Sequence, residues 1–106
     1  MDANASQPLR YRLNNLPIGN ITAATSLNVD TTIASLPADY VGTVGFAVPR
    51  DADWATGLPM PQARITSQTN LRLRFPNPTA ADVNPADTFD WDVILFPATG
   101  NIQQTI

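Results

Sequence analysis

Charge in this sequence comes in pairs two residues apart: Arg10 and Arg12, Arg72 and Arg74, Asp51 and Asp53, Asp90 and Asp92. Paired carboxylates can hold calcium or divide acid and base roles, and paired guanidinium groups grip carboxylates. The aspartate pairs lack the surroundings that such chemistry needs. A calcium loop of the EF-hand kind spreads oxygen ligands over about twelve residues around a central glycine and ends in an acid. Neither pair has that frame. Two-carboxylate sugar hydrolysis needs a substrate cleft, for which a short chain has little material. A dimeric aspartic protease would carry Asp-Thr/Ser-Gly, yet Asp30 precedes Thr31 and Thr32, and Asp87 precedes Thr88 and Phe89. Serine hydrolysis would need a histidine, and there is none; five scattered glycines make no phosphate loop. The expectation is a protein that is not an enzyme and uses no cofactor and no metal.

Three of the four pairs sit in runs that alternate apolar and charged residues: Leu9–Leu13 (LRYRL), Leu71–Phe75 (LRLRF) and Phe89–Phe96 (FDWDVILF). Period two is the signature of a half-buried strand, with residues i and i+2 on one face. Further strands are expected over Ile21–Asp30, Val41–Val48 and Ala63–Ser67. The short connection after Ser67 makes the last of these a hairpin with Leu71–Phe75. NNLPIGN, SLPADY, PRDADWATGLPMP and PNPTAADVNPAD supply turns and loops. One helical turn is expected over Thr79–Val83. Six to seven short strands, with turn signals at roughly ten-residue spacing, predict an all-β antiparallel β-sandwich or small barrel. The domain spans residues 9–97, with an N-terminal flexible or docking arm over 1–8 and a C-terminal tail over 98–106. Alternation assigns Leu27, Val29, Val44, Phe46, Val48, Ile65, Leu71, Leu73, Trp91, Val93 and Leu95 to the core. On that assignment Phe46→Ala would cost ~3–5 kcal/mol.

The 106 residues contain no cysteine, histidine, lysine or glutamate; all nine acids are aspartate and all six bases are arginine. One domain of this size holds a modest core without disulfides. Losing Glu and Lys removes two strong helix formers, and abundant Thr, Asn, Pro and Asp favour strands and turns. A net charge of −3 argues against nucleic acid as a partner. No apolar run reaches the ~20 residues of a membrane span. MDANASQP is polar and acidic, unlike a signal peptide, so synthesis in a cytoplasm is expected.

Arg72 and Arg74 are expected to meet Asp90 and Asp92 on the wet face of the protein's own sheet. Arg10 and Arg12 have no acid nearby in sequence. They are expected to meet a neighbouring chain, with Tyr11 as an aromatic anchor. The competing reading makes Leu9–Leu13 an edge strand whose arginines block aggregation. Trp54, in the loop between Pro49 and Pro59, either caps the domain or anchors a partner. The candidate partner-binding residues are therefore Arg10, Tyr11, Arg12 and Trp54.

The span Ile21–Phe96 resembles small β-sandwich virion proteins of tailed bacteriophages. The resemblance rests on Gly57-Leu58, Ala63–Thr66, Asn70–Arg74, Asn77-Pro78-Thr79 and Val93–Leu95. PADYVG lacks the Gly-Asp usual before the third strand, and the strand with Arg10 and Arg12 has no counterpart. The resemblance implies a capsid cement or decoration protein that self-associates, with a trimer ahead of a dimer, and clamps the major capsid protein on the outer surface of the virion. It implies no catalytic residue. The alternative is a carbohydrate-binding β-sandwich module of a phage fibre or adhesin, using Trp54.

Overall fold

The computed structural model describes residues 8–50, 59–85 and 88–97. The arm up to Gln7, Trp54 with its loop, and the tail from Ala98 lie outside the described residues. Six strands form one antiparallel sheet: β1 (Leu9–Pro17), β2 (Thr25–Thr32), β3 (Val44–Pro49), β4 (Gln62–Ser67), β5 (Asn70–Asn77) and β6 (Thr88–Phe96). The spatial order is β1-β6-β3-β4-β5-β2. The sheet curls strongly into a half-barrel, so the small-barrel, all-β expectation holds. A single 3-10 turn, Ala38–Tyr40, is the only helical element among the described residues.

Curling lets one sheet bury one of its own faces. The interior holds Trp91, Val93 and Leu95 from β6, Leu71, Leu73 and Phe75 from β5, Ala63 and Ile65 from β4, and Ala47 from β3. Phe75 meets Trp91 edge-on, with ring centroids 5.4 Å apart, a favoured aromatic geometry. Ile18 and Ile21, from the connection between β1 and β2, complete the buried set. Ile21 is no strand residue, as the alternation suggested, but a single bridge to Val83. The expected helical turn at Thr79–Val83 is absent for the same reason: Val83 exchanges two backbone hydrogen bonds with Ile21. Asn77, wholly buried, pins this loop. Its amide donates to the carbonyls of Ile21 and Ala81 at 2.9 Å, and its Oδ1 accepts from the Thr79 backbone N–H at 3.0 Å.

The core assignment holds for Ile65, Leu71, Leu73, Trp91, Val93 and Leu95. Leu27 and Val29 are only half-buried, because β2 is an edge strand. Val44, Phe46 and Val48 were assigned to the wrong face, being 53%, 38% and 36% exposed. The inward positions of β3 are Gly45 and Ala47 instead. VGFAV is apolar at almost every position, so alternation marked two faces without saying which was in. The small residues face in because β3 runs close to β6: a Cβ on Gly45 would collide with the Ile94 backbone.

Candidate functional site

Turning β3 over moves its large side chains to the solvent face. Register places them in rows across the sheet. Arg10, Ile94, Phe46, Gln62, Arg74 and Asn28 form one row. Phe96, Val44, Arg64, Arg72 and Asp30 form the next. The middle of this face is therefore apolar and its flanks are basic. Phe46 and Phe96 pack against each other with centroids 5.9 Å apart, yet Phe96 remains 51% exposed. Beside them lies a groove of about 720 Å³ lined by Val44, Phe46, Phe96, Arg64, Arg72 and Arg74. A smaller groove of about 290 Å³ adjoins Arg10, Arg12, Asp92 and Ile94 on the other flank.

The charges find partners other than those expected. β5 and β6 are separated by β3 and β4, so Arg72 and Arg74 cannot meet Asp90 and Asp92. Arg72 forks onto Asp30 of β2, Nε to Oδ1 at 2.8 Å and Nη2 to Oδ2 at 3.3 Å. This hydrogen bond, with one from Asn70, holds the Asp30 carboxyl below its usual range. The same bond raises the Arg72 guanidinium. Arg74 Nε donates to Ser26 Oγ at 3.0 Å. Asp92 serves Arg12 at 3.2 Å and Arg50 at 3.8 Å. Asp90 accepts the Asn15 backbone N–H at 2.7 Å, which satisfies the irregularity in β1 between Leu13 and Leu16. Asn15 sits there at φ 56°, a conformation that asparagine tolerates.

Of the candidate partner residues, Arg10 and Arg12 share the outer face, and β1 is an edge strand. Arg12 nevertheless meets an acid distant in sequence, Asp92. Tyr11 points the other way, half-buried against the core, where desolvation raises its phenol pKa. Trp54 lies outside the described residues, as do Asp51 and Asp53.

Arg64 alternates with buried Ala63 and Ile65, and no second charge two residues away marks it in the sequence. It lies directly opposite Arg72 across β4 and β5. Like charges directly opposite each other are destabilising. Arg72 is already engaged by Asp30, and among the described residues Arg64 has no ion-pair partner. Five arginines are outward strand positions and Arg50 reaches Asp92 beside them; among the described residues the acids on this face are Asp30, Asp90 and Asp92, so its described part is rich in cations on a chain of net −3.

The chain matches no protein-family model, no curated protein and no solved structure.

Proposed function

We propose that this chain is a structural, non-enzymatic protein that docks on other protein subunits through the outer face of its sheet, as a capsid cement or decoration protein of tailed-phage type does. One observation carries the docking reading. Val44, Phe46, Val48 and Phe96 are large apolar side chains, adjacent on β3 and β6, and all are exposed. Contiguous exposed apolar surface rimmed by polar residues marks interaction sites. Arginine at the rim suits protein carboxylates better than lysine, because its fork binds both oxygens. Ten prolines limit the freedom of the unfolded chain, which suits a protein that must persist outside a cell. The capsid part of the reading rests on the sequence resemblance. It names the major capsid protein as the partner, a trimer as the assembly and the outer virion surface as the destination after synthesis in the host cytoplasm.

Virions from a host carrying the gene test this directly. The chain is expected to band with intact heads in a density gradient, at a copy number proportional to the major capsid protein. Heads lacking it are expected to open at lower temperature. Finding the chain only in the soluble fraction refutes the capsid reading. Saccharide binding on a glycan array, abolished by Trp54→Ala, would replace it with the carbohydrate-binding alternative.

A further inference from the structure

We infer that the groove between Phe46, Phe96 and Arg64 is the specificity site of the docking face, and that it takes an extended acidic segment of a partner protein: a carboxylate on Arg64 and a neighbouring apolar side chain on Val44, Phe46 and Phe96. The inference rests on the outer face being the docking surface, and it names what that surface selects.

Three observations converge on this occupant. The first is charge complementarity. On a chain of net −3, the arginines gather on or beside one face, against three aspartates among the described residues there, so the described part of that face favours anions. The second is the state of Arg64. It stands opposite Arg72 without an acid of its own among the described residues. A sequence selected only for stability would place a neutral or acidic residue there, as Asp30 is placed for Arg72. A bound carboxylate relieves the repulsion and completes the row. The third is the apolar wall. Val44 pairs directly with Arg64 on one side and Phe96 on the other, so a carboxylate on Arg64 has aliphatic and aromatic surface beside it. About 720 Å³ is the volume of a pocket for a few side chains, within the common range of roughly 300–1,000 Å³, and a short extended segment supplies those. Single-stranded nucleic acid is the less favoured anion. Its binding needs aromatic faces open for stacking and a strong basic track. Here the two phenylalanines pack on each other, and Arg72 is neutralised by Asp30.

The test uses the isolated chain and a defined probe, a blocked heptapeptide alternating Asp with Phe and Leu. Polyaspartate of equal charge and oligo(dT) serve as comparators. Amide NMR shifts locate the contact, and anisotropy of labelled probe gives the affinity. The peptide is expected to shift Val44, Phe46, Arg64 and Phe96, and to bind tighter than either comparator. Arg64→Gln is expected to weaken binding by roughly tenfold, the loss of one charge-assisted hydrogen bond, while its Tm equals or exceeds that of the wild type. Val44→Asp, which gives Arg64 a carboxylate within the chain, is expected to abolish binding and keep the fold. The inference is overturned if the peptide shifts none of these residues, if polyaspartate binds equally well, if oligo(dT) binds tighter at the same residues, or if Arg64→Gln lowers Tm while leaving affinity unchanged. Failure of the peptide leaves the virion experiment untouched, and absence from virions leaves the peptide result standing, so the two readings fail separately.

Discussion

Replacing Gly45 by alanine should be far more damaging than a single added methyl suggests. Gly45 pairs with Leu95 where β3 crosses β6. A methyl there falls 2.7 Å from the Ile94 carbonyl carbon and from Leu95 Cα, and closer still to the Ile94 carbonyl oxygen. Ordinary Cβ contact begins at 3.4 Å, so the strands must part by 0.7 Å at those carbons and by more at the oxygen. The obstruction is backbone, so no side-chain rotation relieves it. A ladder bond of ordinary length, stretched that far, no longer qualifies as a hydrogen bond. Overpacking costs ~1–3 kcal/mol, and each ladder bond lost adds ~1 kcal/mol. Together these give about 2–4 kcal/mol. For a domain near this size that corresponds to a Tm lowered by roughly 8 °C or more. Urea and thermal unfolding followed by far-UV circular dichroism measure it. Gly42→Ala is the control: its φ is +94° but the space around it is open, so it should cost about 1–2 kcal/mol of backbone strain. A Gly45→Ala loss below about 1 kcal/mol, near the centre of ordinary point mutants, would refute the close approach of β3 to β6. With it would go the reason why Val44 and Phe46 face solvent.

Phe46→Ala should cost only about 1–2 kcal/mol, because partly covered apolar area is lost and no closed cavity forms. Leu71→Ala, in the buried set, should cost ~2–5 kcal/mol, and equal losses in urea melts would contradict the assigned faces. Asn77→Ala should cost roughly 1–3 kcal/mol by leaving the Thr79 N–H unpaired and removing one of the two donors to each of the Ile21 and Ala81 carbonyls, and should raise hydrogen exchange at Ile21 and Val83. The Asp30 carboxyl is held low by Arg72 and Asn70. Its contribution is therefore full above the unfolded value near pH 4 and is lost as pH falls through the folded value. Asp30→Asn should flatten the fall of the urea midpoint in that acid window and change nothing in its slope near neutrality. Arg10 has no ion-pair partner among the described residues, so Arg10→Ser should leave Tm unchanged in thermal melts. Deleting Met1–Leu13 instead removes strand pairing with β6 and should unfold much of the domain.

What the sequence made legible was local. β5 and β6 alternate apolar with charged residues, so the buried face announced itself, and the short turn at Gln68 and Thr69 marked the β4–β5 hairpin. β3 was misread because charge marks neither face of VGFAV. The signal present was size: Gly45 and Ala47 belong where another strand crowds in, and Phe46 where there is room. Ion-pair partners were misread for another reason. β1 pairs with β6 across most of the chain, and β2 with β5 rather than with its neighbour in sequence. Strand order is set by which faces can close the curled sheet together, and no short window of residues carries it. Arg12 therefore found Asp92, and Arg72 found Asp30. Arg64 went unnoticed because it has no arginine two residues away.

The segregation of charge follows from the same alternation. Each arginine but Arg50 is an outward position of a strand, and Arg50 follows Pro49 to reach Asp92. Of the described acids off this face, Asp39 lies in the 3-10 turn and Asp82 in the loop, where it accepts the Ala23 N–H at 2.8 Å. Among the described residues charge is therefore unevenly spread, and the net value of −3 does not describe this face. Screening makes the local value the relevant one. At physiological salt the Debye length is about 8 Å, while the shortest dimension of the molecule is 24 Å. Charges on the far side are therefore largely screened from a ligand at the groove. That ligand meets Arg64, Arg72 and Arg74 beside exposed phenylalanine, with Asp30 already committed to Arg72. On the proposed docking reading, the apolar floor between the arginines selects among anions, and it favours a carboxylate carried on a chain with apolar side chains.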